Sequence, residues 1–292
     1  MAESYSPLRY PGGKAKLADF LIEVLRANGL REPEYVEPYA GGAGAALRLL
    51  CEEYVESITI NDADPRIRCL WEALTQHNDA FLGMLDDVEV TVEEWRRQRE
   101  VYLACCVDEV VQLGFATFFL NRTTRSGIVH NGGPIGGYDQ QGNFKIDARF
   151  SRAELARRIR RIGVYADRID VSGMDGLALL QQIDADEGRA VRAFVYLDPP
   201  YYAKGAELYL NRFTHAQHAE LAAYLTDRRR FRWLLTYDNV SEVRELYRPL
   251  SQLAFSLSYS AYDRRTGEEL LIHSEELQVP QSALGALPVV AA

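Results

Sequence analysis

The apolar run Ala193-Phe-Val-Tyr-Leu197 leads directly into Asp198, Pro199, Pro200 and Tyr201. A strand ending in an acid, two prolines and an aromatic delivers those groups to the carboxyl edge of a sheet, where open α/β folds bind ligands. The residue types suit one problem in particular. An exocyclic amine on a nucleobase is a poor nucleophile because its lone pair is conjugated into the ring, and accepting its N–H hydrogens localises that pair. Asp198 and a backbone carbonyl can accept them. Proline donates no backbone hydrogen bond and fixes φ near about −65°, so Pro199 and Pro200 stiffen the turn and leave a carbonyl available. Tyr201 offers a face for a base taken out of its stack. The alternative, a rigid surface turn, is what many Asp-Pro sequences make; the preceding apolar strand argues against it.

A second constellation is Val36-Glu-Pro-Tyr-Ala-Gly-Gly-Ala-Gly-Ala45, a strand running through glycines into a helix. Missing side chains let a ligand approach the backbone at a helix N-terminus. The spacing is not the dinucleotide fingerprint, and alone it also fits a tight turn without a ligand. Ile58-Thr-Ile-Asn-Asp62 adds a carboxylate at the end of the next strand, placed to accept the two hydroxyls of a ribose. The pair points to a nucleoside cofactor.

Elements that position these groups follow from the patterning. Short β-branched or aromatic runs alternate with helical periods, the mark of an α/β fold with a mostly parallel sheet. One block has a helix near 16–28, a strand at 35–37, the glycine loop, a helix over 45–53 and a strand at 57–61. A second begins near Ile169 and carries the strand 193–197, a helix over 215–228, a strand at 232–236 and late strands at 253–260 and 269–273. Between them, helices are expected over 91–107 and 108–120, followed by a Gly-rich loop and an Arg-rich segment. This gives a discontinuous domain of residues 1–68 and 163–276, a mainly helical insertion over 69–162, and a frayed tail over 277–292.

Composition bounds the rest. With 292 residues, 47% hydrophobic and 26% charged, the chain can bury a large core. It has no apolar run approaching the roughly 18 to 20 residues that span a bilayer, so no membrane role is expected. Cys51, Cys69, Cys105 and Cys106 lack metal or disulfide spacing, the histidines lack metal spacing, and the N-terminus lacks a secretory pattern, so a reducing cytoplasm and no metal are expected. A net charge of −9 excludes a protein that coats nucleic acid nonspecifically. It leaves room for a local basic face: Arg149, Arg152, Arg157, Arg158, Arg160, Arg161 and Arg168 stand against only Glu154 and Asp167 in that stretch. A solvated helix face is the other reading of the same run.

Ser6-Pro-Leu-Arg-Tyr-Pro-Gly-Gly-Lys14, Glu37-Pro-Tyr-Ala-Gly-Gly42, Asn61-Asp62, Asn121-Arg122 and Asp198-Pro-Pro-Tyr201 follow one another here. In this order they resemble the Dam-like DNA adenine-N6 methyltransferases, over nearly the whole chain up to about Ser274. The resemblance implies a Rossmann-like methyltransferase sheet, mostly parallel with one antiparallel late strand, and a helical inserted target-recognition domain. It implies S-adenosylmethionine (SAM) as methyl donor, with Tyr10 and Lys14 helping to enclose it. Pro38, Ala40, Gly41, Gly42 and Gly44 would contact its methionine portion and Asp62 its ribose. Asp175 resembles the acid that recognises its adenine, although it also fits a helix N-cap.

By the same resemblance Asn121, Arg122, Arg125, Arg149 and Arg152 become contacts to double-stranded DNA, reading guanine or clamping phosphate. The chain departs from the GATC-specific members at Ser126-Gly-Ile-Val-His-Asn-Gly-Gly-Pro-Ile-Gly-Gly137, so its recognition sequence does not carry over. Those glycines either shape a loop that meets DNA or form a flexible surface loop. A cognate restriction enzyme is a possible partner. Rival readings are methylation of cytosine N4 or of RNA, and a catalytically silent DNA-binding module.

The expected reaction is direct transfer to a flipped adenine, with no covalent enzyme intermediate. Asp198→Ala should lower turnover by at least roughly 100- to 1,000-fold, by analogy with loss of one preorganised hydrogen-bonding group elsewhere, while SAM binding survives. Near-normal methylation by that variant would remove Asp198 from the chemistry.

Overall fold

The computed structural model describes residues 5–9, 17–127, 129–130, 132–203, 213–227, 229–259 and 265–280. Seven strands form one sheet: β1 (Glu34–Glu37), β2 (Ser57–Asn61), β3 (Ile169–Ser172), β4 (Ala193–Leu197), β5 (Arg232–Asp238), β6 (Gln252–Tyr259) and β7 (Arg265–His273). Their order is β3-β2-β1-β4-β5-β7-β6. Neighbours from β3 to β5 pair in parallel, while β7 runs antiparallel to both β5 and β6. The expected Rossmann-like sheet with one reversed late strand is therefore present. Chain order reverses between β1 and β4, which opens a crevice at their carboxyl ends.

Alternation along the strands builds two cores. Tyr35, Ile58, Ile60, Phe194, Tyr196, Leu234 and Leu271 face one, and Val36, Val195, Leu197, Leu235, Tyr237, Leu270 and Ile272 face the other. On the first face lie α1 (Ala18–Ala27), α2 (Gly44–Cys51) and the helices between β2 and β3: α3 (Pro65–Gln76), α4 (Asn78–Asp87), α5 (Val92–Ala104), α6 (Val110–Thr123) and α7 (Arg152–Val164). The second face carries α8 (Gly176–Ala185) and α10 (His215–Thr226). The short α9 (Glu187–Arg192) precedes β4, and α11 (Ser241–Leu246) follows β5.

Local chemistry sets several of these boundaries. Asp64 caps α3 by accepting the Arg66 amide at 2.9 Å, with Pro65 at the first helical position. Thr91 caps α5, and Thr214 with Gln217 forms a capping box at the start of α10. Every residue of α6 from Leu113 to Asn121 is buried, so this helix is enclosed on all sides. It approaches α3 so closely that a Cβ on Gly114 would lie 2.7 Å from the Cys69 carbonyl oxygen, a gap only glycine leaves.

Three expectations on organisation change. Boundaries at 68/69 and 162/163 fall inside α3 and α7, and the inserted helices share one hydrophobic cluster with the sheet. The helix expected to end at 120 continues to Thr123, so Asn121 and Arg122 lie on its last turn. The tail expected to fray from 277 is docked over 277–280: Leu277 is buried, and Asn28 exchanges hydrogen bonds of 2.8 and 2.7 Å with the Gln278 backbone.

Phe118 meets Phe81 at 5.4 Å and Phe150 at 5.8 Å between ring centroids, at the centre of the helical part of this shared core. Phe118→Ala should cost about 3–5 kcal/mol and lower the midpoint of a single urea transition followed by circular dichroism. A separate early transition for the helices would contradict a shared core.

Candidate active site

The glycine loop after β1 is held from three directions. The Ala40 amide donates to the Asn61 carbonyl at 2.9 Å, Trp71 Nε1 to the Gly41 carbonyl at 2.9 Å, and Ser6 Oγ to the Gly42 carbonyl at 2.6 Å. Gly41 and Ala43 both have left-handed backbone, φ 47° and 44°. Alanine there is strained, and the backbone bonds on either side hold it. Gly44 opens α2, whose N-cap residue Ala43 has no capping side chain, and Glu37 accepts the Ala46 amide of its first turn at 3.2 Å. Pro38, Ala40, Gly41 and Gly42 are buried in this loop.

Asp62 closes the loop from β2. Its Oδ2 accepts the Gly41 amide at 3.1 Å and its Oδ1 the Asp64 amide at 2.9 Å. Burial pushes its pKa up to about 6 and the nearby Asp64 charge adds to the rise, while both amides oppose it. Asn61 beside it is fully buried and ties three loops of this edge together. Its Nδ2 donates to the Pro38 carbonyl at 2.8 Å and the Met174 carbonyl at 3.0 Å, and its Oδ1 accepts the Met174 amide at 2.9 Å.

Asp175 is the N-cap of α8, accepting the Leu177 and Ala178 amides on Oδ1 at 3.0 and 3.2 Å. The capping reading of this residue is thus realised. A Cβ on the next residue, Gly176, would come within 2.4 Å of the Tyr39 ring. The Tyr39 hydroxyl is buried and has no hydrogen-bond partner among the described residues. Burial and the Asp175 carboxylate both disfavour its ionisation.

Across the crevice, Asp198 follows β4, with Pro199 buried and Pro200 half-buried behind it. Thr236 Oγ1 on β5 donates to Asp198 Oδ1 at 3.2 Å and lies 2.7 Å from the Tyr196 hydroxyl. Tyr201 is 9% exposed, and its hydroxyl donates to Glu269 on β7. Asp238, at the end of β5, accepts the Tyr202 amide on Oδ1 at 2.9 Å and the Ala203 amide on Oδ2 at 2.8 Å. Behind this loop Tyr202 packs against His218, 4.8 Å between centroids, and its hydroxyl meets His215 Nδ1 at 2.9 Å. Burial holds His218 down at about 4, so the imidazole that contacts Tyr237 is neutral at pH 7. Glu37, at the end of β1, accepts the Tyr35 hydroxyl at 2.9 Å and the Ala46 amide at 3.2 Å. Burial nevertheless pushes its pKa up to about 8.

Asp198, Asp62 and the glycine loop thus gather at one sheet edge. Tyr10 and Lys14 lie outside the described residues. Glu37, Asp238 and Glu269 received no role from the sequence, and Asn61 none beyond its motif. The signal that existed was positional: Asp238 ends a strand as Asp198 does. Among the described residues no group of His, Cys, Asp and Glu is arranged to hold a metal.

The expected DNA face divides. Asn121 is 5% exposed, and its amide is taken up by the Arg9 backbone, donating to the carbonyl at 2.8 Å and accepting the amide at 2.7 Å. This corrects its assignment as a DNA contact: it fastens the amino-terminal segment to α6. Arg152 is corrected likewise, because its guanidinium turns inward to the Val88 carbonyl at 2.7 Å with Nη1 buried. Arg125 and Arg149 are exposed.

Arg122 is half-buried and donates from Nε to the Arg149 carbonyl at 2.8 Å. Burial, and then the charges of Arg9, Arg158 and Arg149, lower its pKa to about 10. Outside this cluster, Arg168 is bound to Glu53 and to backbone carbonyls. The end of the Gly-rich loop is bonded to its surroundings: Ile135 donates to the Thr123 carbonyl at 2.9 Å. Gln140 bridges the Ile135 and Gly137 carbonyls, at 2.8 and 2.6 Å, and the Ile146 amide, at 2.8 Å.

A parallel sheet with a reversed late strand, a glycine loop paired with a carboxylate on the next strand, and Asp-Pro-Pro-Tyr across the switch point form one arrangement. Residues 10–261 match the D12 class of N6 adenine-specific DNA methyltransferases. The chain belongs to that family. No curated protein matches it in sequence. As a D12-class chain it is an enzyme of adenine-specific DNA methylation, and among its described residues no helix is long and apolar enough to cross a membrane.

Glu37 offers a test of the site's electrostatics. A carboxyl whose folded-state pKa exceeds its unfolded value holds its proton more tightly when folded. The stability it contributes is full at low pH and is lost as pH rises from about 4.5 to about 8. Glu37→Gln should therefore gain stability relative to the parent between pH 5 and pH 8, by more than about 1 kcal/mol. Equal urea midpoints at both pH values would place the raised pKa in doubt.

Proposed function

We propose that the protein transfers a methyl group from SAM to N6 of adenine in double-stranded DNA, with the target base flipped out to reach Asp198. The observation that carries this reading is the apposition of Asp198 on β4 and the glycine loop of β1 at the switch point, with Asp62 on the adjacent strand.

The chain's groups fit SAM. Gly41 and Ala43 turn the backbone without bulky side chains, the N-terminus of α2 behind Ala43 favours the carboxylate of an amino acid, and Asp62 supplies acceptors for a ribose. When bound, SAM supplies an activated methyl group. Pro38, Ala40, Gly41, Gly42 and Gly44 then line its methionine portion, Asp62 takes the ribose hydroxyls, Tyr10 and Lys14 enclose it, and Asp175 recognises its adenine.

Asp198 accepts one hydrogen of the target N6 amine and the Pro199 carbonyl the other, which localises the lone pair for attack. The Thr236 hydroxyl steadies that carboxylate. Tyr201 stacks on the base. Arg122, Arg125 and Arg149 meet the DNA backbone or base edges, so the segment 69–162 serves as the target-recognition part of a catalytic domain formed by 1–68 and 163–276. Action in the cytoplasm, beside a cognate restriction enzyme, is the accompanying reading.

Incubating the protein with methyl-labelled SAM and unmethylated duplex genomic DNA, then digesting to nucleosides, should place the label in N6-methyladenine. Label in N4-methylcytosine, or in RNA alone, would overturn the reading. The same DNA, sequenced with modification-sensitive reads, gives the recognition sequence.

A further inference from the structure

Asp238 on β5 and Glu269 on β7 are direct cross-strand partners in the antiparallel pair. Residues opposite one another in such a pair project to the same face. Both side chains are buried, at 6% and 1% exposure. Two like-charged groups facing each other across a ladder are unfavourable, and a buried carboxylate needs donors. The end of the catalytic tetrapeptide and the two residues after it supply donors to both. Tyr201 gives its hydroxyl to Glu269, while the Tyr202 and Ala203 amides bond to the two oxygens of Asp238, at 2.9 and 2.8 Å. Thr236, two residues before Asp238 and on the same face of β5, holds Asp198 itself. Strands β5 and β7 thus grip both ends of the tetrapeptide.

We propose that Asp238 and Glu269 are positioning residues for the target-base site. Glu269 fixes the Tyr201 ring through its hydroxyl, and Asp238 fixes the main chain that follows. The carboxylate pair forms a socket that sets the distance between the stacking ring and the Asp198 acceptor. Two stiff prolines join Asp198 to Tyr201, so a ring anchored at its far end and a backbone anchored just beyond it leave the turn little freedom to re-aim. The proposal rests on the reading of Asp198 to Tyr201 as the site that receives adenine.

That reading is tested first, by N6-methyladenine formation from the unaltered protein on unmethylated genomic DNA; its absence overturns the reading itself. With the parent active, kcat and the KM values for DNA and SAM are measured for Tyr201→Phe, Glu269→Leu and the double variant, with Glu269→Gln and Asp238→Asn alongside.

Loss of a hydrogen bond to a charged group should lower kcat roughly 10- to 150-fold in Tyr201→Phe and in Glu269→Leu, with the KM for SAM unchanged. The double variant should be no worse than the poorer single one, because both remove the same bond. Glu269→Gln keeps an acceptor oxygen and should recover most of the loss seen in Glu269→Leu. Asp238→Asn keeps one acceptor for two amides and should lower kcat while the KM for SAM holds. Losses that multiply in the double variant, or a Glu269→Gln no better than Glu269→Leu, overturn the positioning role of Glu269. Should Glu269→Leu fail to fold, Tyr201→Phe decides alone: it keeps the ring and removes only the donor, and parent-level kcat in it overturns the proposal. A parent-level kcat in Asp238→Asn overturns the Asp238 half.

Discussion

Four carboxylates on neighbouring strands share one edge and one face of the sheet, and satisfying them organises everything around the crevice. Parallel strands β1 and β4 deliver Glu37 and Asp198 where they end, β5 ends in Asp238, and the reversed β7 brings Glu269 to the same level. Period-two alternation aims all four away from the face that carries Val36, Leu197 and Tyr237. Each carries a dedicated donor: the Tyr35 hydroxyl for Glu37, the Thr236 hydroxyl for Asp198, two loop amides for Asp238 and the Tyr201 hydroxyl for Glu269. Glu37 marks what burial costs, since its two donors leave its pKa near 8. The tetrapeptide is thus held at Asp198, which accepts from Thr236, and at Tyr201, which donates to Glu269.

The helical insertion is joined mechanically to this edge. Trp71 on α3 holds the Gly41 carbonyl, and Asn121 on α6 holds the backbone of Arg9, three residues after Ser6, which itself grips the Gly42 carbonyl. Two short routes of buried and part-buried hydrogen bonds thus join α3 and α6 to the glycine loop. The shared core under both makes those routes stiff. The helices between β2 and β3 and the sheet edge therefore belong to one packed body.

Local patterns were legible in the sequence wherever a few adjacent residues carry the whole signal. The β4 strand with its tetrapeptide, the β1 glycine loop and the strand ending at Asn61 all stand where alternation and turn chemistry put them, and the order of motifs matches the D12 family. What escaped was defined by partners distant in the chain. Glu269 meets Tyr201 across 68 positions, Asp238 meets Tyr202 across 36, and Asn61 meets Met174 across 113. No period or spacing announces such pairs. Asn121 and Arg152 were misread for a related reason: an amide or guanidinium has the same letter whether it faces DNA or a backbone carbonyl. Burial alone separates the two, and α6 is buried all round.

Charge shows the same division between total and place. A chain at −9 has little general attraction for a polyanion. Yet burial lowers the pKa of Arg122 and the nearby charges of Arg9, Arg158 and Arg149 lower it further, while burial and then Arg149 lower that of Arg9. Folding brings these cations together against their mutual repulsion, with Glu154 answering Arg158 at 2.8 Å. The segment holding Arg9 is the one that Asn121 fastens to α6, three residues after the Ser6 that bonds to the glycine loop, so part of this cluster is tied to the same edge. An acidic total with a local basic cluster suits a D12-class chain, which acts on DNA: the net charge repels a polyanion and these arginines attract it where they stand.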